Sequence, residues 1–283
     1  MLKLLKNEPL ARHTTFKIGG KAKYFICPRE IKELKEALVF AGKKKLPLLI
    51  IGAGSNILVK DKGFSGLVIK LLGGLKKYNI KQNIVTAQAG VYLPELALIC
   101  AKRSLSGLEF LSGIPGTVGG AVKGNAGAWG QEIAQIVKSV TVITLKGKLK
   151  KLKPAQITFG YRKSNLKDIV IEVELKLEKS TKEKIYQKIR EYILKRKLSQ
   201  PLEYPSAGSV FKNPRGYHVA KLIESCGLKG KRIGQAQISK KHANFIVNLA
   251  RAKAKEVIAL MNLIKKKVEK KFKITLEPEL KIV

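Results

Sequence analysis

The feature with the clearest chemical use is a glycine-rich segment, residues 113–130, which holds seven of the 25 glycines of the chain. A surface turn does not need so many glycines. A main chain that lies against a planar, phosphorylated cofactor does, because residues without side chains let N–H groups approach the ligand. No GxxxxGK[ST] pattern runs through the segment, so it is not a Walker A loop. It therefore predicts a loop that binds a cofactor.

A second, shorter loop at residues 52–58 begins with the sequence GAGSN. It lacks the third glycine of a dinucleotide fingerprint, and the residues after it have no helical pattern, which excludes a Rossmann site. Its N–H groups and the side chains of Ser55 and Asn56 still suit a diphosphate, although taken alone it is better interpreted as a tight turn after a strand. Two separated loops of this kind predict a cofactor held between two domains.

Apolar residues spaced three and four apart predict the helices that must position these loops. One helix is expected over residues 28–45, another begins near Pro94, and a third opens with the capping-box pattern STKE at residues 180–183 and ends before Pro201. The apolar side chains expected on one side of the third helix are Ile185, Ile189, Tyr192 and Ile193. Two further helices are expected near residues 219–226 and 257–268, in a separate C-terminal unit.

Short apolar or alternating runs predict strands. They lie at residues 46–51, 66–71, 83–89, 137–145, 169–177, 244–247 and 274–283. Because helices and strands are mixed along the chain and no segment repeats, the sequence predicts an α+β fold.

Composition bounds the class of protein. The chain has 283 residues, and 57 basic against 20 acidic residues give a formal charge of +37. Hydrophobic residues make up 45%, which is enough for a real core and excludes a disordered basic protein. No apolar run approaches the roughly 20 residues of a membrane-spanning helix, and the first nine residues are too charged for a signal peptide. We therefore expect a cytoplasmic protein without a membrane span.

Thiol and imidazole groups are few and scattered. The three cysteines form no CxxC pair, and the three histidines form no cluster. This pattern supports neither a disulfide framework nor a zinc site, so we expect reduced thiols and no metal.

Six motifs occur in one order along the chain, at residues 12–20, 52–58, 113–130, 159–164, 206–214 and 276–279. Among them are RHTTFKIGG, FGYRKS, SAGSVFKNP and LEPE. Together they resemble the UDP-N-acetylenolpyruvoylglucosamine reductase (MurB) family of bacterial peptidoglycan synthesis, over nearly the whole chain. The chain is similar to the compact branch of that family, because residues 180–214 leave no room for the long insertion whose tyrosine covers the substrate. Tyr217 is a candidate for that covering role.

The resemblance implies a two-part FAD-binding region of the vanillyl-alcohol-oxidase/PCMH type, followed by a C-terminal α+β substrate-binding domain. The expected FAD-binding subdomains are residues 1–72 and 73–180, and the substrate-binding domain is 181–283, with a strand at 280–283 packing back on the first subdomain. FAD is expected to be non-covalent, since neither glycine-rich loop contains His or Cys, and NADPH is the expected hydride donor. The residues expected to bind FAD are Gly52, Gly54, Ser55, Asn56, Pro115, Gly119, Gly124, Asn125 and Gly127.

The resemblance also implies the reaction. Hydride from flavin N5 reaches the vinyl carbon of UDP-N-acetylglucosamine enolpyruvate, and a proton added to the neighbouring carbon gives UDP-N-acetylmuramate. By motif match, Ser209 resembles the proton donor, while Arg162 and Glu279 resemble the groups that flank the enolpyruvyl carboxylate. The residues expected to bind the substrate are Tyr161, Lys212, Asn213, Lys229 and His242. We expect the enzyme to be a monomer.

The residue types suit this chemistry. Hydride addition to an enolpyruvyl double bond builds an enolate-like, doubly negative carboxylate, which a fixed guanidinium stabilises through bidentate contact. The carbanion must then be protonated, and a positioned hydroxyl can supply that proton.

Two other functions stay open at this stage. An FAD-dependent oxidase of a small alcohol or sugar would use a similar FAD-binding region but does not need Ser209, Arg162 and Glu279 together. A basic nucleic-acid-binding module would explain the charge of +37, because lysines that neutralise phosphates release counterions. Only nine of the 57 basic residues are arginines, and they are dispersed, so we expect no specific nucleic-acid partner.

Overall fold

The computed structural model describes residues 2–283; Met1, with which the first predicted subdomain begins, lies outside them. The chain divides into two compact units. Unit 1 consists of the N-terminal residues up to Lys6, Tyr24–Ala53 and Ser65–Arg196, and unit 2 of Asn7–Lys23, Gly54–Phe64 and Lys197–Val283. The three-domain boundaries expected from the sequence stay a prediction.

Six α-helices occur within residues 2–283: α1 (Ile31–Lys43), α2 (Leu93–Lys102), α3 (Val118–Gly124), α4 (Lys182–Ser199), α5 (Val219–Ser225) and α6 (Ala254–Phe272). The strands in the first part of the described chain are β1 (Leu5–Pro9), β2 (Lys21–Ile26), β3 (Leu48–Ile51), β4 (Ile57–Leu58), β5 (Phe64–Lys70), β6 (Tyr78–Lys81), β7 (Ile84–Gln88), β8 (Leu105–Ser106), β9 (Gly127–Ala128), β10 (Gln131–Glu132) and β11 (Val137–Ile143). The remaining strands are β12 (Leu149–Leu152), β13 (Phe159–Gly160), β14 (Lys163–Ser164), β15 (Ile169–Lys176), β16 (Glu178–Lys179), β17 (Ser206–Ser209), β18 (Arg232–Ile233), β19 (Ala236–Ile238), β20 (Phe245–Asn248) and β21 (Lys281–Ile282).

Unit 1 is built around an antiparallel sheet with the strand order β12-β11-β15-β7-β6. A second sheet has the order β1-β2-β5-β3, in which β3 and β5 run parallel. Helix α1 forms because its apolar residues recur three and four apart and can be buried together. Its side chains share one core with the inner faces of β5 and β7, including Leu34, Leu38, Leu67, Ile69 and Val85.

Unit 2 contains a smaller antiparallel sheet with the order β17-β20-β19-β18. The long helix α6 buries Val257, Leu260, Ile264 and Val268 in the same core as Phe211. Residues from early in the chain complete this unit, because β4 pairs in parallel with the C-terminal β21. Unit 2 is thus a small α+β unit in which β17, which ends at Ser209, lies at one edge of the four-stranded sheet.

The mixture of helices and strands confirms the predicted α+β class. The predicted helices correspond to α1, α2, α4, α5 and α6, and most of the predicted strands to β3, β5, β7, β11, β15 and β20. The residues after Gly52 form the two-residue strand β4 and no helix, in agreement with the exclusion of a Rossmann site.

Three details differ from the sequence prediction. The last strand is shorter than residues 274–283: within that range only Lys281–Ile282 forms a strand, paired with β4, and Pro278 makes a single isolated bridge with Phe211. The STKE pattern predicts that Ser180 caps α4, but the next residue does so. The Thr181 hydroxyl accepts a hydrogen bond from Lys184 N at 3.4 Å. Ile193 was expected beside Ile185 and Ile189 but is 45% exposed.

Within residues 2–283, no cluster of three or more His, Cys, Asp or Glu side chains is arranged to hold a metal ion. No helix in that same part of the chain combines the length and apolar character needed to cross a membrane. The thiols of Cys27, Cys100 and Cys226 are free, and burial raises the pKa of Cys100 to about 12, so that thiol is unreactive.

Candidate functional site

In unit 1, the end of β3 meets the start of α3, and this contact joins the two glycine-rich segments. A Cβ atom at Gly52 would overlap the hydroxyl of Thr117. Thr117 is the N-cap of α3 and accepts from Gly120 N at 3.3 Å. A Cβ at Gly119 would lie 2.6 Å from that of Ala89, directly after β7. Glycine is therefore required at both positions by close packing of the main chain.

The outer part of the glycine-rich segment, residues 113–130, leaves open space beside Gly124. Pro115 is exposed, and a Cβ built at Gly124 would have no neighbouring atom within 4 Å. The segment carries no acidic side chain between residues 113 and 130, and its one charged side chain is the cation of Lys123. A glycine-rich main chain with no acidic group and a single cation fits a planar, phosphorylated cofactor such as FAD.

Asn125 ends α3 in the left-handed conformation, with φ 43°, and its side chain is fully buried. Its Nδ2 donates to Glu132 Oε2 at 2.7 Å and to the carbonyl of Gly160 at 3.1 Å, and its Oδ1 accepts from Ala134 N at 3.3 Å. The amide thus ties the end of the glycine-rich loop to the β13–β14 hairpin from inside unit 1.

Arg162 and Tyr161 form the tip of that hairpin, where Gly160 pairs with Lys163. Arg162 has φ 56°, a conformation that costs a residue other than glycine about 1 kcal/mol. Its guanidinium lies over the Tyr161 ring, 5.2 Å from the centroid. A Cβ at Gly127 would be 3.0 Å from Arg162 Nη1, so the absence of a side chain at Gly127 makes room for the guanidinium.

In unit 2, Ser209 and Glu279 lie on adjacent main-chain segments. Ser209 ends β17 opposite Phe245, and the carbonyl of the next residue, Val210, accepts from Glu279 N at 2.9 Å. One residue further on, Phe211 forms a bridge with Pro278. Both Ser209 and Glu279 are half-buried. A hydroxyl donor and a carboxyl group are therefore brought close together by local pairing.

The polar end of the 52–58 loop contacts the segment that contains Glu279. A Cβ at Gly54, which has φ 68°, would overlap the carbonyl of His13, so only glycine fits there. Asn56 Nδ2 donates to the carbonyl of Glu279 at 3.2 Å, and Asn56 O accepts from Lys281 N at 3.2 Å. Ser55 lies between Gly54 and Asn56 and is half-buried.

The predicted substrate-binding residues of unit 2 already have partners within it. Lys212 pairs with Glu277 at 2.5 Å and Lys229 with Glu224 at 2.9 Å. Asn213 Oδ1 accepts from Val219 N, in the first turn of α5, at 3.0 Å. Both lysines therefore have acidic neighbours that an anionic substrate group would have to displace or share.

His242 is half-buried, and its ring meets Phe245 edge-to-face with 4.9 Å between centroids. Its Nδ1 accepts from Asn244 N at 3.3 Å. Burial lowers the pKa of His242 below its ordinary value of 6.5. A main-chain hydrogen bond and the charge of Glu224 raise that pKa by less, and the charge of Lys229 lowers it slightly further. The imidazole is thus neutral at pH 7.

The structure therefore sorts the predicted site residues into two sets. Unit 1 carries Gly52, Pro115, Gly119, Gly124, Asn125, Gly127, Tyr161 and Arg162. Unit 2 carries Gly54, Ser55, Asn56, Ser209, Lys212, Asn213, Lys229, His242 and Glu279.

Two residues that sequence reasoning missed support these sets. Thr117 packs on Gly52 and caps α3; a Thr directly before a short apolar turn is a cap signal that could have indicated it. Asn244 hydrogen-bonds the main chain of Phe211 from 33 residues away, and no local pattern marks such a contact.

Comparisons with known proteins agree along the chain. Residues 200–283 match the family model "UDP-N-acetylenolpyruvoylglucosamine reductase, C-terminal domain", and residues 22–153 match "FAD binding domain". The UDP-N-acetylenolpyruvoylglucosamine reductase of Carboxydothermus hydrogenoformans is 46% identical, over 99% of this chain and 94% of its own length. Reductase 2 of Symbiobacterium thermophilum is 44% identical, over 99% and 92%.

The chain belongs to the UDP-N-acetylenolpyruvoylglucosamine reductase family.

Solved structures agree with this membership. The MurB reductase of Thermus caldophilus is 39% identical, with a TM-score of 0.85 over 100% of this chain and 98% of that one. Wild-type Phl p 4.0202, a glucose dehydrogenase, shares the fold alone, with 17% identity and a TM-score of 0.50 over 62% of this chain. The predicted fold class, an FAD-binding region followed by the C-terminal domain of the reductase family, is confirmed.

Proposed function

We propose that the chain is an NADPH-dependent flavoenzyme that reduces the enolpyruvyl group of UDP-N-acetylglucosamine enolpyruvate to give UDP-N-acetylmuramate. It binds FAD non-covalently and works as a cytoplasmic monomer in peptidoglycan precursor synthesis. Residues 1–72 and 73–180 are its FAD-binding subdomains, and 181–283 bind the substrate. The observation that carries the proposal is the pairing of the Ser209 and Glu279 segments through Val210, in a chain of this family.

FAD, when bound, supplies to the vinyl carbon the hydride that NADPH provides. The loops that contain Gly52, Gly119 and Gly124 would hold it: Gly52 and Gly119 allow the close packing that shapes them, and Gly124 leaves its main chain open. Ser55 and Asn56 would add side-chain donors for a diphosphate. Pro115 and Gly127 belong to the segment that would hold the cofactor, and Gly54 keeps the 52–58 loop in its left-handed turn.

Each reacting group has one task. The Arg162 guanidinium stabilises the carboxylate as negative charge develops on it, as a fixed, always-charged donor should. Ser209 Oγ donates its proton to the carbon next to that carboxylate, and the resulting oxyanion takes a proton from water. Glu279 flanks the same carboxylate and helps to position it.

The remaining residues bind the sugar nucleotide. Lys212 and Lys229 are cations that an anionic diphosphate attracts away from Glu277 and Glu224. Asn213 and the neutral imidazole of His242 offer hydrogen bonds. The Tyr161 ring, 46% exposed, offers an apolar face beside Arg162.

The test is turnover with the natural set of reactants. Purified protein is incubated with FAD, NADPH and UDP-N-acetylglucosamine enolpyruvate, and NADPH oxidation and the mass of the sugar nucleotide are followed. The proposal requires a product that has gained one hydride and one proton, and the consumption of one NADPH for each molecule of product. NADPH oxidation that depends on oxygen and leaves the sugar nucleotide unchanged would indicate an oxidase instead, and a protein that takes up no FAD would contradict the proposal.

A further inference from the structure

Asn244 is a buried polar residue of unit 2, only 4% exposed, just before β20. Its side-chain amide pairs with the main chain of one residue on the neighbouring segment. Nδ2 donates to the carbonyl of Phe211 at 2.8 Å, and Oδ1 accepts from Phe211 N at 3.0 Å. The main-chain carbonyl of Asn244 accepts from Val210 N at 2.9 Å. Three hydrogen bonds thus hold Val210 and Phe211 from one side.

These bonds replace a strand ladder that is irregular at this point. The β17–β20 register shifts between Ser206 and Ser209, and the last paired residues are Ser209 and Phe245. A primary amide has one acceptor and two donors, so it can take the place of a peptide group where the ladder ends. Asn244 therefore continues the pairing for the two residues that follow Ser209.

The opposite edge of the same segment holds Glu279. Val210 O accepts from Glu279 N at 2.9 Å, Phe211 bridges Pro278, and Lys212 N donates to the carbonyl of Glu277 at 2.9 Å. Residues 210–212 therefore lie between Asn244 on one side and residues 277–280 on the other. A shift of this segment would move Ser209 and Glu279 relative to each other.

We infer that Asn244 is a positioning residue for the protonation step: its amide fixes the segment that joins Ser209 to Glu279. The inference rests on the proposed function, because it takes Ser209 as the proton donor. Asn244 itself touches no reacting atom. It acts through the main chain, and its removal changes how Ser209 Oγ is aimed while leaving that hydroxyl in place.

The test separates the two halves of the reaction. Asn244→Asp keeps the size and the acceptor for Phe211 N but replaces the donor by an oxygen that faces the carbonyl of Phe211. Asn244→Ala removes both side-chain bonds. Asn248→Asp is the matched control, since Asn248 is equally buried, ends the same strand, and also bonds main chain, donating to Phe16 O at 3.0 Å and accepting from Ala252 N at 2.9 Å.

The rate of flavin reduction by NADPH and the rate of flavin reoxidation by UDP-N-acetylglucosamine enolpyruvate are each measured under nitrogen. In both Asn244 variants we expect reduction within about twofold of the wild type and reoxidation about 10- to 100-fold slower, the usual effect of a small misplacement. The solvent deuterium isotope effect on reoxidation should increase, since proton transfer becomes limiting. Hydrogen exchange at the Val210 and Phe211 amides should accelerate, and Asn248→Asp should change none of these values.

Reoxidation at the wild-type rate in both variants would overturn the inference. Two further results would overturn it: an equal loss of both half-reactions in both Asn244 variants, or a loss of the fold in both. If Asn248→Asp retained activity and fold in that experiment, Asn244 would contribute to stability alone. A wild-type flavin that the enolpyruvyl substrate does not reoxidise contradicts the proposed function itself, which distinguishes that failure from this one.

Discussion

His242, in unit 2, is held in its neutral form by the contacts that its ring makes. Its Nδ1 accepts the Asn244 N–H while its ring packs on Phe245, so a protonated ring would lose an acceptor and carry a charge into a half-buried place. Two charged groups also act on its pKa, in opposite directions: Glu224 raises it and Lys229 lowers it, and both effects are smaller than that of burial. Its neutral form is therefore built into this part of the fold.

The pH dependence of stability should report that neutrality. Burial keeps the pKa of His242 low in the folded state, whereas the unfolded chain takes up this proton near pH 6.5. Stability linked to His242 is therefore complete above about pH 7 and decreases as the pH falls towards about 5. In His242→Asn, whose side-chain oxygen can accept the same N–H, the Tm should decline less over that range than in the wild type.

The matched control for this measurement is His218→Asn, at an exposed histidine. It should keep the wild-type dependence of Tm on pH. Parallel curves for His242→Asn and the wild type would contradict the account of His242.

Gly127 is a second residue whose identity follows from a neighbour. A Cβ there would be 3.0 Å from Arg162 Nη1 and 2.5 Å from the carbonyl of Gln131. Because the overlap with the Gln131 carbonyl forces the β9–β10 hairpin to shift beside Arg162, we expect Gly127→Ala to displace the guanidinium and to slow reduction of the enolpyruvyl substrate about 10- to 100-fold at saturating FAD. Gly42→Ala, in α1 with no atom within 4 Å of the new Cβ, should turn over at the wild-type rate. Wild-type turnover of Gly127→Ala would contradict the placement of Arg162.

At the scale of elements, α6 depends on a cap supplied from far away in sequence. Asp61 Oδ1 accepts from Ala254 N at 2.8 Å and Asp61 Oδ2 from Lys255 N at 3.1 Å. A carboxylate at a helix N-terminus satisfies otherwise unpaired N–H groups and interacts favourably with the helix dipole. The first turn of α6 is thereby fixed to the β4–β5 connection within unit 2.

Removal of this cap should destabilise the protein without changing its chemistry. We expect Asp61→Ala to lower the free energy of unfolding by about 1 kcal/mol, as measured by urea denaturation, because two N–H groups lose their acceptor. Asp61→Asn keeps one acceptor oxygen and should lose less. An equal free energy of unfolding for the wild type and Asp61→Ala would contradict this prediction, because water would then replace the carboxylate without loss of stability.

Local patterns predict some elements well and others poorly, for physical reasons. The spacing of Leu34, Leu38 and Ala41 predicts α1 because a helix of that length buries one complete face. Two-residue strands such as β4 and β21 have no period to detect, and their pairing joins residues more than 200 positions apart. The same applies to Asn244, since its partner Phe211 is 33 residues away and an isolated Asn predicts nothing.

At the scale of the whole molecule, the order of six motifs is more informative than any one of them. Ser209 alone resembles a turn serine and Arg162 alone a surface cation, but their order along the chain identified the family that the comparisons confirm. The sequence could not assign each residue to a unit, because unit 2 takes Gly54–Phe64 from the middle of the N-terminal half. Chain order and spatial grouping differ wherever a segment leaves one unit and returns.

The role of Ser209 in the proposed reaction is tested by comparing the two half-reactions of Ser209→Ala and the wild type under nitrogen. NADPH should bleach the flavin of both at the same rate, and UDP-N-acetylglucosamine enolpyruvate should restore it about 10²- to 10⁴-fold more slowly in the variant, the usual cost of losing a positioned acid. Ser206→Ala, in the same strand, should match the wild type in both steps. Restoration at the wild-type rate in Ser209→Ala would contradict the assignment of the proton donor, and no restoration in the wild type would contradict the proposed reaction.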